Sequence, residues 1–298
     1  MTEKNKKLRI VLLTFAAAIT LLFAAFLSSV FGAIGLANSV NAETAQNSEQ
    51  TYKPKKPNDG KLPERETEYL GSTIFSRAIG RVTEEGVSEV IVVGNKVKDG
   101  EYVEDIRIIV RDLKNRKAGI TITPKENSGY SPAVTLADFT GDGIKEIFYQ
   151  ANGGGSGAFS YSYVYSVKDG VPETLFDFEN RQNDFAAEYA NYYKVVVKNT
   201  ATGAVYYIDI SGRGEEYLGG LYNEDGTLKT PVTAEVSAVN TVLPFFQAEE
   251  NRYDLLVLRR ITGLYSADSF GYTQEFLSYG ESGFTPYFEG VLINQNRK

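Results

Sequence analysis

An all-β fold of blade-like antiparallel sheets is predicted by three features of the chain from Leu70 onward. Apolar residues recur there mainly at every second position, the period of a strand with one buried face, and not at the 3.6 of a helix. The runs are rich in β-branched and aromatic residues, with 20 Tyr and 17 Phe among 298 residues. They are punctuated by glycine, Asn and Asp clusters of the kind that turn one strand back on the last, drawing on 28 Gly.

The chain opens differently. Lys4, Lys6, Lys7 and Arg9 form a basic start, and Ile10 to Ile34 is uncharged and mostly apolar. Val40-Asn41-Ala42 then offers the small-x-Ala pattern of a signal-peptidase site. Residues 1–42 therefore read as a signal peptide or, uncleaved, as a membrane anchor, since the apolar run is long enough to span a bilayer. Positive charge ahead of that run places the remainder of the chain outside the cytoplasm in either case. Loss of the leader moves the net charge from −7 to −10. Such an acidic exported chain is a poor partner for nucleic acid and meets a membrane only through an uncleaved N-terminal segment. Residues 43–66 hold almost nothing apolar and read as a disordered tether. Residues 67–298 are then one β-rich domain.

Within that domain Val87–Val93 is a nearly continuous β-branched run, Ile106, Ile108 and Val110 alternate with polar residues, and so do Ile120 and Ile122. A second set repeats the same plan. Ile147–Gln150 is a strand, Phe159, Tyr161, Tyr163, Tyr165 and Val167 share one face of the next, and Thr174–Phe178 is a third. Asn180–Tyr189 suggests a short helix, because Phe185 and Tyr189 are four apart. Strands resume at Tyr193–Val197 and Val205–Ile210, and Tyr253–Leu264 is apolar around Arg252, Arg259 and Arg260. Phe270–Tyr279 and Phe284–Ile293 close the chain as paired strands.

The densest chemistry lies between two strands, in Leu136–Tyr149. Asp138, Thr140 and Asp142 present side-chain oxygens at loop positions one, three and five, the Ile144 carbonyl falls at seven, and Glu146 adds a carboxylate at nine. Alternate positions converge when a loop curls, and Gly141 and Gly143 permit the curl. Oxygen donors with this much negative charge suit one Ca²⁺. Tyr149 stands where an EF-hand needs its last acid, so the helix-loop-helix form is not implied. The plainer reading is an Asp/Gly hairpin turn. Arg81–Val90 aligns with this loop one unit earlier, with Arg81 in the place of Asp138, so that copy is expected to keep the turn and not the metal.

The run D-F-T-G-D-G-x-x-E-I resembles the D-x-N-G-D-G-x-x-D-[LI] loop of FG-GAP and VCBS-type repeats, whose strands build propeller blades in extracytoplasmic proteins. GGGSGAFSYSYVYS and RITGLYSADSFGY extend the likeness to VCBS-repeat proteins of spore-forming Firmicutes, some described as spore-coat proteins. The resemblance implies a small propeller-like array, although a sandwich of the same sheets is equally consistent with two visible units.

With no His and no Cys, Ser-His-Asp triads, Cys-His dyads and His-ligated zinc are removed together. A carboxylate pair or a Ser-Lys arrangement stays open. Gly153–Gly157 lacks the Lys of a P-loop and leads into a strand, so it reads as a connector or as backbone exposed beside the calcium loop. Arg259-Arg260 and Asp268 invite a charge-pair reading. The expectation is a non-enzymatic, calcium-stabilised β-domain that acts structurally or by interaction at the cell envelope or spore coat. Its partner would be an envelope or coat protein or a surface glycan. The alternative is a secreted carbohydrate-binding or carbohydrate-active protein that uses exposed tyrosines.

Overall fold

The computed structural model describes residues 66–113, 117–155, 157 and 159–294. The leader at 1–42 and all of the tether except Glu66 lie outside the described residues. Two antiparallel sheets carry the chain, as the period-two pattern requires. The first contains β1 (Glu68–Tyr69), β2 (Ser72–Thr83), β3 (Gly86–Lys96), β4 (Tyr102–Asp112), β5 (Ala118–Ile122), β6 (Gly129–Ala137), β7 (Glu146–Gly154), β8 (Phe159–Ser166) and β9 (Glu173–Asp177). The second contains β10 (Phe185–Ala190), β11 (Lys194–Asn199), β12 (Val205–Asp209), β13 (Thr233–Gln247), β14 (Arg252–Thr262), β15 (Ser269–Gly280) and β16 (Gly283–Ile293), in the order β12-β11-β10-β13-β14-β15-β16.

The first sheet runs β1-β2-β3-β4-β6-β7-β8-β9, and β5 branches from β4. Only Tyr102 and Val103 at the start of β4 pair with β6, whereas its later residues pair with β5. This split lets the sheet fold over, so that β2–β5 lie face to face with β6–β9. One core fills the space between: Val90, Val92, Ile106, Ile108 and Val110 from one side meet Ile147, Tyr149, Tyr163 and Tyr165 from the other. The two sequence units are thus halves of a sandwich and not neighbouring propeller blades. Each covers one apolar face of the other.

The β6–β9 layer is apolar on its back as well, where Phe139, Phe148, Val164 and Phe176 pack against Val242, Leu255, Val257 and Leu277 of the second sheet. That explains the sequence of β7, in which Ile147, Phe148 and Tyr149 are all buried: alternate side chains enter different cores. The run Val90–Val93 in β3 has the same cause, with Ile91 and Val93 covered by Tyr69 and Ile74. Pro244 sits within β13, but β10 pairs with that strand only at Thr233 and Ala234, so the missing N–H breaks no ladder on that side.

Two elements differ from expectation. Asn180–Tyr189 is not a helix: a 3-10 turn at Phe178–Asn180 precedes β10, whose Phe185 and Tyr189 point into the core of the second sheet. A spacing of four is a multiple of two as well as close to 3.6, so the pair could not discriminate. The helix that does form is α1 (Glu215–Leu221), which lays Tyr217, Leu218 and Leu221 on that same core. Glu215 and Glu216 in its first turn suit the positive end of the helix dipole.

Candidate functional site

The Asp138–Glu146 loop joins β6 to β7. It lies at the end of the sandwich where the β2–β3 and β8–β9 turns also lie. The Lys145 N–H donates to the Arg81 carbonyl at 2.8 Å, and the Glu84 N–H to the Lys168 carbonyl at 3.2 Å. Arg81 thus belongs to the hairpin that the aligned earlier unit was expected to keep, with Thr83 paired to Gly86 across Glu84 and Glu85. From the second sheet the Tyr253 N–H reaches the Asp138 carbonyl at 2.7 Å.

A buried ring and two carboxylates fix the loop. Phe139 is fully buried, with its ring edge-on to Tyr253 and Phe284 at centroid distances of 6.2 and 5.7 Å. Truncating such a side chain would cost about 3–5 kcal/mol. Asp138 then closes the curl with both oxygens: Oδ1 accepts the Gly141 N–H at 2.7 Å and Oδ2 the Gly143 N–H at 2.9 Å. Those glycines have φ of 79° and 84°, the left-handed region that a side chain would strain. Asp142 accepts the Ile144 N–H at 2.8 Å through Oδ1, while Lys168 Nζ stands 2.9 Å from Oδ2. Burial pushes the Asp142 carboxyl up, but the Lys168 ammonium and the Ile144 N–H outweigh it and hold the group below its ordinary value.

Glu146 opens β7 beneath the loop and is 2 % exposed. Its Oε2 accepts the N–H groups of Phe139 and Thr140 at 2.8 and 3.3 Å, and its Oε1 accepts the Thr140 hydroxyl at 3.2 Å. Burial dominates those bonds, and its pKa is pushed up to about 7. A buried acid of this kind is stabilised in its charged form by a nearby cation.

All five expected ligand residues, Asp138, Thr140, Asp142, Ile144 and Glu146, therefore share one loop, and their oxygen donors are those a hard cation takes. They are not drawn to one point. Glu146 turns to the backbone of Phe139 and Thr140, Asp142 turns to Lys168, and among the described residues no three acidic side chains form a metal-holding group. Lys168 is a feature the loop motif could not reveal.

Other expected features fall elsewhere. Gly153 and Gly154 end β7, the strand that Glu146 begins, so the glycine run lies at the opposite end from the loop and not beside it. A side chain on either glycine would strike the ring of Tyr161 or Tyr130. Tyr163 and Tyr165 are core residues stacked at 5.7 Å, and offer no platform. Asp268 pairs with Arg213 at 3.0 Å, while Arg259 faces Glu275, so the charge pair suggested for Arg259-Arg260 and Asp268 has other partners.

Fold and loop together define an all-β domain of two packed antiparallel sheets, closed at one end by an acidic Asp/Gly loop. Its sequence matches the family model described as the YybI C-terminal domain over residues 183–292, a span from just before β10 into β16 that takes in nearly the whole second sheet. "Uncharacterized protein YybI" of Bacillus subtilis (strain 168) is 32% identical over 219 residues, which cover 71% of this chain and 83% of that protein. The chain belongs to the YybI family. No solved structure matches it.

Proposed function

We propose that this is an exported, non-enzymatic β-domain whose sheet end is stabilised by one Ca²⁺ in the Asp138–Glu146 loop, and which serves a structural or interaction role at the cell envelope. The observation that carries the reading is the buried Glu146 carboxylate under a loop that adds two further carboxylates, a hydroxyl and a main-chain carbonyl. Three acids on nine residues give a cation the charge it needs, and each carboxylate retains lone pairs beyond those used in capping the loop. The basic and apolar leader and the acid balance of the remainder support export.

Calorimetric titration with calcium chloride tests the metal. One ion per chain is expected, with affinity of about 10⁻⁴ to 10⁻³ M, as in extracellular modules. Calcium at about one hundred times its dissociation constant would add ~2.7 kcal/mol to stability, and chelator would remove it. Asp142→Ala should abolish the response, whereas Glu85→Ala in the aligned turn should leave it intact. No calcium heat, together with melting indifferent to chelator, reduces the loop to a turn.

A further inference from the structure

Among the described residues β5 is bonded to β4 alone, and β9 to β8 alone. Because β5 extends one half of the first sandwich and β9 ends the other, the two free edges lie on either side of a seam. It is tied at one end by the Glu84 N–H to the Lys168 carbonyl and at the other by the Lys125–Glu179 ion pair. Between the ties it is open. A cavity of about 760 Å³ has Lys117–Ile120 on one wall and Lys168–Gly170 on the other. A second, of about 370 Å³, has Thr121–Thr123 facing Thr174 and Asp177, over a floor of Tyr163 and Tyr165.

We propose that this seam takes an extended peptide strand of a partner protein, which adds to the free edge of β5. A row of unpaired main-chain groups along a slot is matched best by another backbone, and the five residues of β5 offer roughly 17 Å of it. Edge strands are normally guarded by charge, proline or a bulge. β5 reads Ala-Gly-Ile-Thr-Ile and carries neither charge nor proline, whereas the edge strand β16 has Pro286 and Glu289; its one irregularity is a register shift at Gly119, which leaves Ile120–Ile122 of β5 in regular pairing with β4. The side chains of the incoming strand are specified too. Thr121, Thr123 and Thr174 line the rim of the smaller cavity above the buried Tyr163 and Tyr165, so small side chains fit there. At the other end Glu84, Glu85, Asp112 and Asp169 outnumber Lys117, since Lys168 is held by Asp142 and Arg111 by Glu66 and Glu89, so a Lys or Arg is favoured there.

This gives the interaction role a surface, and it rests on that part of the proposed function but not on calcium. The test is selection of a random linear peptide library on the purified full chain, in chelator and in calcium. Enriched peptides should alternate β-branched with polar residues and carry a base near one end. A synthetic copy should slow amide exchange at 118–122, and N-methylation of alternate backbone nitrogens should abolish its binding. Thr174→Trp, which fills the seam from an exposed position, should weaken binding roughly tenfold with melting unchanged. Glu84→Lys with Glu85→Lys should remove the preference for a basic end. Enrichment of nothing, protection of amides elsewhere, or indifference to N-methylation overturns the proposal. A calcium response that persists beside such a failure leaves the metal reading standing.

Discussion

Lys168 Nζ lies 2.9 Å from Asp142 Oδ2, so a cation supplied by the β8–β9 turn already sits on a carboxylate at the fifth position of the loop. Calcium would have to displace it. Lys168→Met keeps the stem and removes the competing charge, and should tighten calcium binding ~2- to 5-fold, the scale of one exposed ion pair. Calorimetry on the two proteins decides, and weaker binding in the variant would mean that Lys168 supports the site.

Glu146 makes the domain sensitive to pH in the absence of metal. Its folded-state pKa of about 7 lies above its ordinary 4.5, so the folded protein holds this proton more tightly than the unfolded chain does. The contribution is full below pH 4.5 and is lost as pH rises through 7, by on the order of 3 kcal/mol. The chain has no His to titrate in that window. Burial raises Asp254 too, so the comparison with Glu146→Gln isolates the effect. In chelator the parent should melt lower at pH 8 than at pH 5 by a margin that the variant lacks. Calcium should narrow the difference, because it favours the ionised carboxylate. Equal pH dependence in both proteins would contradict the assignment.

The strands were legible because alternation reports directly on which face of a strand is apolar. What covers that face is not written in a period of two. Two units of alternating strands can stand side by side as blades or lie face to face, and the branching of β4 between β5 and β6 selects the sandwich. The loop was legible for a different reason, since its donors are local. Lys168, 26 residues from Asp142, was not. α1 was hidden by Gly219 and Gly220 within a seven-residue helix, whose stability comes from the core beneath Leu221 and not from propensity.

Arg111 should be among the most sensitive positions outside the loop. Its side chain is fully buried, with Nε 2.9 Å from Glu89 and Nη2 2.6 Å from Glu66, while Tyr69 lies under the guanidinium at 4.9 Å. Arg77 holds the other oxygen of Glu89 at 2.7 Å. Arg111→Ala leaves the buried Glu89 carboxylate with Arg77 alone and should cost about 1.5–3 kcal/mol in urea unfolding. Glu66→Ala, at a half-buried position, should cost about 1 kcal/mol. A chain begun at Thr67 should share that smaller loss, which would place Glu66 inside the folded domain. Equal stability of the Arg111 variant would show the cluster to be energetically neutral.

Gly263 is the position where the smallest substitution should do the most damage. A methyl group there would drive into Asp268 Oδ2 and the Tyr189 hydroxyl, far inside van der Waals contact, and no repacking of a flexible tip relieves that overlap. Both atoms are held: the Tyr217 hydroxyl donates to Asp268 Oδ2 at 2.6 Å and lies 2.5 Å from that of Tyr189, and the Leu264 N–H reaches Asp268 at 3.1 Å. Arg213 completes the cluster, paired with Asp268 and set over the Phe270 ring at 4.9 Å. The network clamps α1 to the β14–β15 turn, so Gly263→Ala must either open the turn or expel Tyr217. A loss of about 2–4 kcal/mol is expected, with tyrosine fluorescence changing before global unfolding. Tyr217→Phe should cost less, about 1–2 kcal/mol, because it removes one donor to Asp268 and leaves Arg213 in place. Gly263→Ala with unchanged stability would mean that the close approach of glycine, carboxylate and phenol does not hold in solution.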